Sequence, residues 1–300
     1  MKIATFLIDN DARSLSFSPS DLDRLHLALP TVQIEHYETE TSFLENGSDA
    51  DIVLAWQFEA SWYDRFPNLK TIYTPAAGRD WIAPAPAPKD NIDVVHGTFH
   101  GPILAESLLG ALLFMNHRMP AMIRNHRDCA WDRNIQTGTR LLSEQTVLII
   151  GLGNIGSYCA TMLAPLVKQV VGVRRSATDT NTFTINDLPQ LLPEADHVVM
   201  LLPGGTETDR FMNTKRLSLM KQGSYIYNFG RGNSLIAEDL LPVIAHLGGA
   251  FLDVTEEEPL PPTSPLWKHE KIFITPHSSC MYADYTSRYL DEVIQKLTTK

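Results

Sequence analysis

The segment Thr146–Gly156, TVLIIGLGNIG, constrains the fold of this chain more than any other part of the sequence. An uninterrupted apolar run, typical of a buried strand, leads directly into three glycines with the spacing G-x-G-x-x-G and then into a helical pattern. Gly151 permits a tight turn, Gly153 lets the backbone approach a pyrophosphate, and Gly156 lets the helix pack on the strand. Glycines also serve ordinary strand–helix turns, but this context on both sides predicts a dinucleotide-binding unit.

Short apolar strands alternate with helical patterns along the rest of the chain, which indicates parallel sheets covered by helices. In the first part of the chain, the predicted strands are Ile3–Ile8, Val32–His36, Asp51–Trp56, Lys70–Thr74 and Ile92–Val95. The second part contains six, enough for a complete doubly wound sheet: Val147–Ile150, Gln169–Val173, His197–Leu202, Ser224–Asn228, Gly249–Val254 and Ile272–Thr275. Helices are predicted over 19–29, over 101–118 with an extension past Pro120 towards Trp131, and over 154–164, 186–192, 214–220, 237–247 and 281–300.

Two domains explain this arrangement, because 300 residues exceed one ordinary hydrophobic core. The proline-rich stretch 83–89, APAPAPK, cannot continue a helix or a central strand, and it comes just before the end of the first series of strands. We therefore predict a dinucleotide-binding domain over residues 99–278. A smaller α/β domain, expected to shape the substrate site, combines residues 1–98 with the closing helix in 279–300.

Composition limits the classes of partner. The chain is 44% apolar and 20% charged, as in soluble globular proteins, and it has no run of about 18 apolar residues that would suggest a membrane helix. A formal net charge of −10 argues against nucleic acid as a partner, because an acidic surface repels phosphate backbones. Cys129, Cys159 and Cys280 are too widely spaced for a disulfide framework and favour a reducing, cytoplasmic compartment. No metal is expected, since glycines interrupt any helix through His96 and His100.

The residues after the second strand of the dinucleotide-binding series indicate which cofactor binds. A site for NAD usually has an Asp or Glu about 20 residues past the glycines, which binds the ribose 2′-hydroxyl. This chain has Arg174, Arg175 and Ser176 in that region, and two guanidiniums with a hydroxyl suit a 2′-phosphate. Two solvated arginines on a surface turn are the alternative. We predict NADP(H), with Asn154 and Ile155 at the start of the helix presenting N–H groups to its phosphates.

Three further segments carry reactive side chains after predicted strands, where doubly wound folds bind their ligands. These are YNFGRG with Arg231, FLDVTEEEP with Asp253 and Glu258, and ITPH with His277. Reduction of a carbonyl needs a proton donor near its oxygen, and an imidazolium such as that of His277 titrates near working pH. Glu258 can bond the other ring nitrogen, while Arg231 can hold a carboxylate and polarise the carbonyl. Each residue alone has a plainer explanation, as a structural hydrogen-bonder, a turn residue or part of a solvated acidic loop.

Taken together, these segments resemble the D-isomer-specific 2-hydroxyacid dehydrogenases, and most of all the NADPH-dependent glyoxylate/hydroxypyruvate reductases. The resemblance runs from about residue 98 to residue 277 through GLGNIG, NFGRG, DVTEEEPLPP, SPLW and TPH. It implies two doubly wound parallel-sheet α/β domains, a Rossmann dinucleotide-binding domain and a smaller flavodoxin-like substrate (catalytic) domain. It also implies that Arg231, Glu258 and His277 are catalytic, with Glu258 chosen among three consecutive glutamates by its place before a proline.

The resemblance assigns further contacts to substrate and partner. The backbone N–H groups of Ala77 and Gly78 would meet the substrate carboxylate together with Arg231, and Asp253 would meet the nicotinamide end of the cofactor. A homodimer would form through the long helix near Pro102–Arg118.

The loop after the third strand of the second series would border the cofactor through Leu202, Pro203 and Thr208. Gly204 and Gly205 depart from the residues usual in the family at this point, so the resemblance does not fix the contacts of this loop.

The activity that the resemblance implies is NADPH-dependent reduction of a small 2-keto acid, such as glyoxylate or hydroxypyruvate, to the D-2-hydroxy acid. A bulkier, aromatic 2-keto acid is an alternative, because Trp56, Phe58 and Trp81 lie in or beside predicted strand-end loops. A dehydrogenase of amino or sugar acids is another alternative, distinguished by which substrates oxidise NADPH. A third is a non-enzymatic, dinucleotide-sensing scaffold like the corepressors of this family, against which an intact triad argues.

Overall fold

The computed structural model describes residues 1–8, 15–87, 89, 91–176 and 182–299. The chain divides into two compact units, Met1–His100 with Met281–Lys300 and Gly101–Cys280. The predicted boundaries after residues 98 and 278 each lie two residues before the divisions in the structure. Pro88 of the proline-rich stretch and Lys300 of the predicted closing helix lie outside the described residues.

The first unit contains a parallel sheet that has five strands within the described residues, in the order β2-β1-β3-β4-β5. The strands are β1 Lys2–Phe6, β2 Gln33–His36, β3 Ile52–Ala55, β4 Thr71–Thr74 and β5 Asp93–His96. Each corresponds to a strand predicted from the sequence. β3 and β4 are buried along their whole length, as expected of strands covered on both faces.

The helices of this unit are α1 Pro19–Ala28, α2 Glu40–Asn46 and the C-terminal helix Tyr285–Thr298. Ser18 begins α1 with a capping box, since its hydroxyl accepts from the amide of Asp21 and the Asp21 carboxylate accepts from the amide of Ser18. The sequence did not predict α2, which is only 7 residues long and begins after the cap Thr39.

The second unit contains a parallel sheet with seven strands in the part of the chain that the structure describes, in the order β12-β11-β10-β9-β6-β7-β8. The strands are β6 Thr146–Ile150, β7 Gln169–Val173, β8 Thr182–Phe183, β9 His197–Met200, β10 Tyr225–Asn228, β11 Gly249–Leu252 and β12 Ile272–Ile274. The prediction of six strands was therefore one short. The missing strand, β8, has only two residues and pairs with the end of β7.

The helices of the second unit are α3 His100–Asn116, α4 Met119–Arg127, α5 Asn154–Leu163, α6 Leu188–Leu191, α7 Thr214–Leu217 and α8 Ala237–Leu240. A single helix continuing past Pro120 was a wrong prediction, because Arg118 adopts a left-handed conformation with φ of 53° and separates α3 from α4. The helix predicted over 237–247 ends much earlier, at Leu240. No helix among the described residues is long and apolar enough to span a membrane.

Candidate active site

The three glycines of the turn between β6 and α5 differ in their surroundings. Gly151 has φ of 109°, and a Cβ atom on it would lie 2.5 Å from the carbonyl oxygen of Leu201. A Cβ atom on Gly156 would lie 2.2 Å from the carbonyl oxygen of Gly151, so α5 packs directly on the turn. Gly153, by contrast, has no atom within 4 Å of that position, and no side chain caps α5. Open space beside an uncapped helix N-terminus is an arrangement that accommodates a phosphate.

A cavity of about 330 Å³ lies beside this turn, at the carboxyl ends of β6, β7 and β9. It is lined by most of the residues predicted to bind the cofactor: Gly151, Gly153, Arg174, Arg175, Ser176, Leu202, Pro203 and Thr208. Asn154, Ile155 and Gly156 form the first turn of α5 beside it. Ile185 and Phe211 contribute apolar walls that the sequence did not indicate, because Ile185 lies in a single 3-10 turn and Phe211 in a loop, neither of which has a motif.

The two predicted phosphate-binding arginines lie at the edge of this cavity. The amide of Arg174 donates to the carbonyl oxygen of Phe183 at 3.0 Å, so β8 fixes the backbone of the turn that carries them. The exposed guanidinium of Arg175 forms an ion pair with the exposed carboxylate of Glu207. Glu207 also lines the cavity, although no sequence motif indicated a part for it in the site.

The loop after β9 closes on itself through Thr208. Its hydroxyl donates to the carbonyl oxygens of Pro203 and Gly205, at 2.8 Å each. The hydroxyl proton of Thr208 is therefore engaged within the loop, while the side chain still lines the cavity. Asn233 adds a weaker hydrogen bond to Gly205 at 3.4 Å, which links this loop to the segment after β10.

His277 and Glu258 lie together in the second unit, joined by a hydrogen bond of 2.8 Å between Nδ1 and Oε2. The other carboxylate oxygen of Glu258 accepts from the amide of Thr255 at 3.0 Å. Burial alone would raise the pKa of Glu258, but the hydrogen bond to His277 and the charge of that ring act in the opposite direction. The pKa of Glu258 lies below its ordinary value, and the Thr255 amide and the charge of Arg231 add to the decrease.

Arg231 follows β10 on a loop that is pressed against the segment carrying Glu258. Asn228 is fully buried, and its side chain donates to the carbonyl oxygen of Arg231 at 3.0 Å and accepts from the amide of Gly230 at 3.1 Å. A Cβ atom on Gly232 would lie 1.8 Å from the carbonyl oxygen of Thr255, so only glycine permits this close approach. The structure thus brings all three residues of the predicted triad to the same edge of one sheet. Asn228 was missed because an asparagine that ends a strand gives no signal of its own.

Asp253 is 2% exposed and lies just after β11. Its carboxylate accepts from the hydroxyl of Thr275 at 2.6 Å and from the amides of Ser278 and Ser279 at 3.0 and 3.2 Å. The amide of His277 donates to the carbonyl oxygen of Asp253 at 2.8 Å. Asp253 therefore organises the turn that carries the imidazole, and its predicted contact with the nicotinamide stays a prediction.

In the first unit, Ala77 and Gly78 form part of the turn after β4. The hydroxyl of Thr74 accepts from the amide of Ala76 at 3.2 Å and donates to the carbonyl oxygen of Trp56 at 3.0 Å, which fixes the start of this turn. Ala76 is buried, whereas Ala77 is exposed. Ala77 is thus accessible at the end of a strand, and the predicted contact of the Ala77 and Gly78 amides with the substrate carboxylate stays a prediction.

Comparison with known proteins identifies the family. Residues 109–279 match the family model described as "D-isomer specific 2-hydroxyacid dehydrogenase, NAD binding domain". Over 250 residues the chain is 33% identical to the glyoxylate reductase of Thermofilum pendens, covering 78% of this chain and 73% of that protein.

Two solved structures share the whole fold. A D-isomer specific 2-hydroxyacid dehydrogenase from Xanthobacter autotrophicus Py2, in complex with NADPH and MES, matches with a TM-score of 0.81 at 24% identity, covering 99% of this chain and 95% of that one. A probable 2-hydroxyacid dehydrogenase from Rhizobium etli, in complex with NADP, HEPES and tartaric acid, matches with a TM-score of 0.77 at 26% identity, covering 99% and 94%. Fold, dinucleotide-binding domain and site define an oxidoreductase. The chain belongs to the D-isomer-specific 2-hydroxyacid dehydrogenase family.

Proposed function

We propose that this protein reduces a small 2-keto acid, such as glyoxylate or hydroxypyruvate, to the D-2-hydroxy acid with NADPH. The observation that carries the proposal is the hydrogen bond between His277 and Glu258. The charge of Arg231 helps to lower the pKa of Glu258. A proton donor, its orienting carboxylate and a fixed cation are the groups that carbonyl reduction of an anionic substrate requires.

The proposed roles of the site residues combine this geometry with what the family resemblance implies. Bound NADPH supplies the hydride that adds to the carbonyl carbon. Because Glu258 engages Nδ1 of His277, the proton that goes to the carbonyl oxygen comes from Nε2. Arg231 holds the substrate carboxylate and polarises the carbonyl, and the amides of Ala77 and Gly78 bind the same carboxylate. Asp253 keeps the His277 turn in place and borders the nicotinamide end of the cofactor.

The preference for NADPH rests on the cavity edge formed by Arg174, Arg175 and Ser176. Two guanidiniums and a hydroxyl bind a 2′-phosphate through charge-assisted hydrogen bonds, and no acid stands among these three residues to receive a ribose hydroxyl. The double substitution Arg174→Asp with Arg175→Ala should weaken NADPH binding far more than NADH binding. An unchanged ratio of the two dissociation constants would remove these residues from the phosphate site.

The first experiment follows NADPH absorbance with glyoxylate, hydroxypyruvate, pyruvate and phenylpyruvate, with NADH in parallel. Turnover of a small keto acid with NADPH supports the proposal and ranks the substrates by size. Tight NADPH binding without turnover of any of the four would favour an unusual substrate, such as an amino or sugar acid, or the dinucleotide-sensing scaffold.

A bulkier, aromatic 2-keto acid is the second candidate substrate, because a cluster of aromatic side chains lies beside the turn with Ala77 and Gly78. The ring of Trp56 stacks on Tyr285 at 5.6 Å and lies 6.1 Å from Trp81, which is 40% exposed. Phe58 does not belong to this group, since it is 1% exposed and packs in the core of the first unit. A higher kcat/KM for phenylpyruvate than for glyoxylate would select this candidate.

A homodimer is part of the proposal, and the exposed apolar surface of α3, α4 and the following segment supports it. α3 carries one formally charged residue, Glu106, in 17 positions. Large apolar side chains are exposed along residues 113–141: Leu113, Met119, Ile123, Trp131 and Leu141. Several exposed large apolar side chains in one part of the chain are consistent with a protein–protein interface.

A further inference from the structure

The conformation of the loop after β9 depends on a glycine at position 205. Gly205 has φ of 135°, a conformation that residues with a side chain rarely adopt, and no atom lies within 4 Å of where its Cβ would be. The turn Thr206–Thr208 follows directly and is closed by the Thr208 hydroxyl. The backbone that carries Glu207 is therefore held by hydrogen bonds on both sides of the loop.

This loop places a carboxylate against one of the two arginines at the edge of the dinucleotide cavity. Nη2 of Arg175 donates to Oε2 of Glu207, and both residues line the cavity that Gly151 and Gly153 border. Their side chains are 83% and 73% exposed, so the pair is solvated and can open without leaving a buried charge. A ligand that reaches Arg175 thus meets a guanidinium already paired with an anion.

We propose that Glu207 lowers the selectivity for NADPH over NADH, because its carboxylate competes with the 2′-phosphate of NADPH for Arg175. This inference rests on the proposed function, because it takes the cavity as the site of the adenosine end of the cofactor. The 2′-phosphate must displace the carboxylate of Glu207 from the guanidinium of Arg175. The displaced carboxylate then lies close to the phosphate and repels it, and both effects weaken NADPH binding. NADH has no charge at this position, so Glu207 affects it little. The chain is therefore less selective for NADPH than its two arginines alone would make it.

The size of the effect follows from the exposure of the pair. Exposed ion pairs contribute about 0.2–1 kcal/mol, which corresponds to roughly a 1.4-fold to fivefold change in a dissociation constant. Salt screens the charges of exposed side chains such as Glu207 and Arg175. The effect should therefore diminish as ionic strength rises from about 0.01 M to 1 M.

Dissociation constants of NADPH and NADH, measured by fluorescence titration, test the inference in four forms of the full chain: wild type, Glu207→Gln, Arg175→Gln and the double variant. Glu207→Gln should bind NADPH more tightly at low salt, by about 1.4-fold to fivefold, with NADH unchanged. The double variant should lose this gain, because the effect acts through Arg175. Glu238→Gln is the matched control, since Glu238 is also an exposed carboxylate paired with an arginine, Arg210, but does not line the cavity.

The outcomes separate this inference from the function on which it rests. If Arg175→Gln weakens NADPH while Glu207→Gln changes neither dissociation constant, the selectivity role of Glu207 is wrong and the phosphate site stands. If Glu207→Gln strengthens NADPH and NADH equally, the role is wrong as well. If the wild type binds neither dinucleotide, the proposed function itself fails. A tighter NADPH complex that reverts in the double variant supports the inference.

Discussion

The imidazole of His277 is held from two directions. Its ring is bonded to Glu258, and its backbone lies in the left-handed region with φ of 48°, where its amide donates to Asp253 and Thr275. A non-glycine residue in this conformation is uncommon and is maintained only when surrounding contacts determine it. The orientation of the proposed proton donor is thus fixed before any ligand binds.

His277→Ala should lower kcat by a factor of roughly 10² to 10⁴, because the substitution removes general acid catalysis. NADPH binding should stay within about twofold of the wild type, since the substitution lies outside the dinucleotide cavity. Steady-state kinetics and fluorescence titration measure the two effects. His26→Ala, which changes an exposed histidine on α1, is the control and should be fully active. Full activity of His277→Ala would exclude this residue from the mechanism.

Asn228 is proposed as a positioning residue for Arg231, because both ends of its buried amide hold the backbone on either side of that arginine. Asn228→Ala should destabilise the fold by about 1–3 kcal/mol, as expected when buried polar groups lose their partners. It should also raise KM for the keto acid, since the guanidinium loses its defined position. Urea unfolding and kinetics at several substrate concentrations separate the effects. A destabilised variant with unchanged KM would indicate a purely structural role.

Two glycines of the β6–α5 turn should respond differently to the same change. Gly153→Ala meets open space, so the unfolding free energy should change by less than about 1 kcal/mol, while the methyl group obstructs the approach of the pyrophosphate. Gly156→Ala forces a contact of 2.2 Å with the Gly151 carbonyl and should destabilise the unit. Thermal unfolding and NADPH titration check both variants. Gly153→Ala that folds and still binds NADPH with wild-type affinity would contradict the assignment of this turn.

The sequence predicted long, strongly patterned elements better than short ones. All five strands of the first sheet were anticipated, because they recur as short extended segments that alternate with helical patterns, although β2 has only one apolar residue in four. β8 was missed because two residues carry no periodicity, and its existence depends on pairing with β7. The helix expected over 237–247 ends at Leu240, although Ile244 and Leu247 are buried as the pattern required. Burial of the right residues can be achieved by turns as well as by a helix.

In the candidate site, too, residues in recognisable motifs were predicted, and residues that depend on the folded backbone were not. The residues of the glycine turn and of the triad lie in segments with recognisable motifs, and the structure brings Arg231, Glu258 and His277 to one edge of a sheet. Glu207 and Asn228 could not be predicted, because their contacts form between segments that are distant in the sequence or depend on backbone geometry. Motifs identified the reactive groups and one residue that orients them, Glu258, whereas Asn228 and Glu207, whose contacts depend on the folded backbone, emerged only from the structure.

At the scale of the whole molecule, the exposed apolar surface of α3 and α4 should be an interface between two copies. Ile123→Glu places a charge on this surface and should shift the protein from dimer to monomer, as measured by sedimentation velocity. Leu27→Glu is a matched control, because Leu27 is 83% exposed on α1 and lies outside this surface. A wild-type protein that sediments as a monomer at micromolar concentration would rule out the homodimer.

A buried polar network around His197 should make the stability of the second unit depend on pH. His197 is fully buried, with its Nδ1 atom 2.9 Å from the hydroxyl of Tyr227 and its Nε2 atom 2.5 Å from the side-chain oxygen of Gln145. A neutral ring fits these partners, since the hydroxyl donates to one nitrogen and the amide oxygen accepts from the other. Burial lowers the pKa of His197 from 6.5 to about 4, with the charge of Asp196 acting weakly in the opposite direction.

Between pH 6.5 and about 4, the unfolded chain binds a proton at His197 that the folded chain does not. The contribution of this group is therefore fully present above pH 6.5, declines as the pH falls through that window, and amounts to roughly 3 kcal/mol in total. His197→Gln keeps a donor for Gln145 but cannot titrate, so its unfolding free energy should vary less between about pH 7.5 and pH 5 than that of the wild type. His26→Gln, at an exposed position, should leave the wild-type slope unchanged. Equal slopes for the wild type and His197→Gln in urea unfolding would show that the buried imidazole does not control this pH dependence.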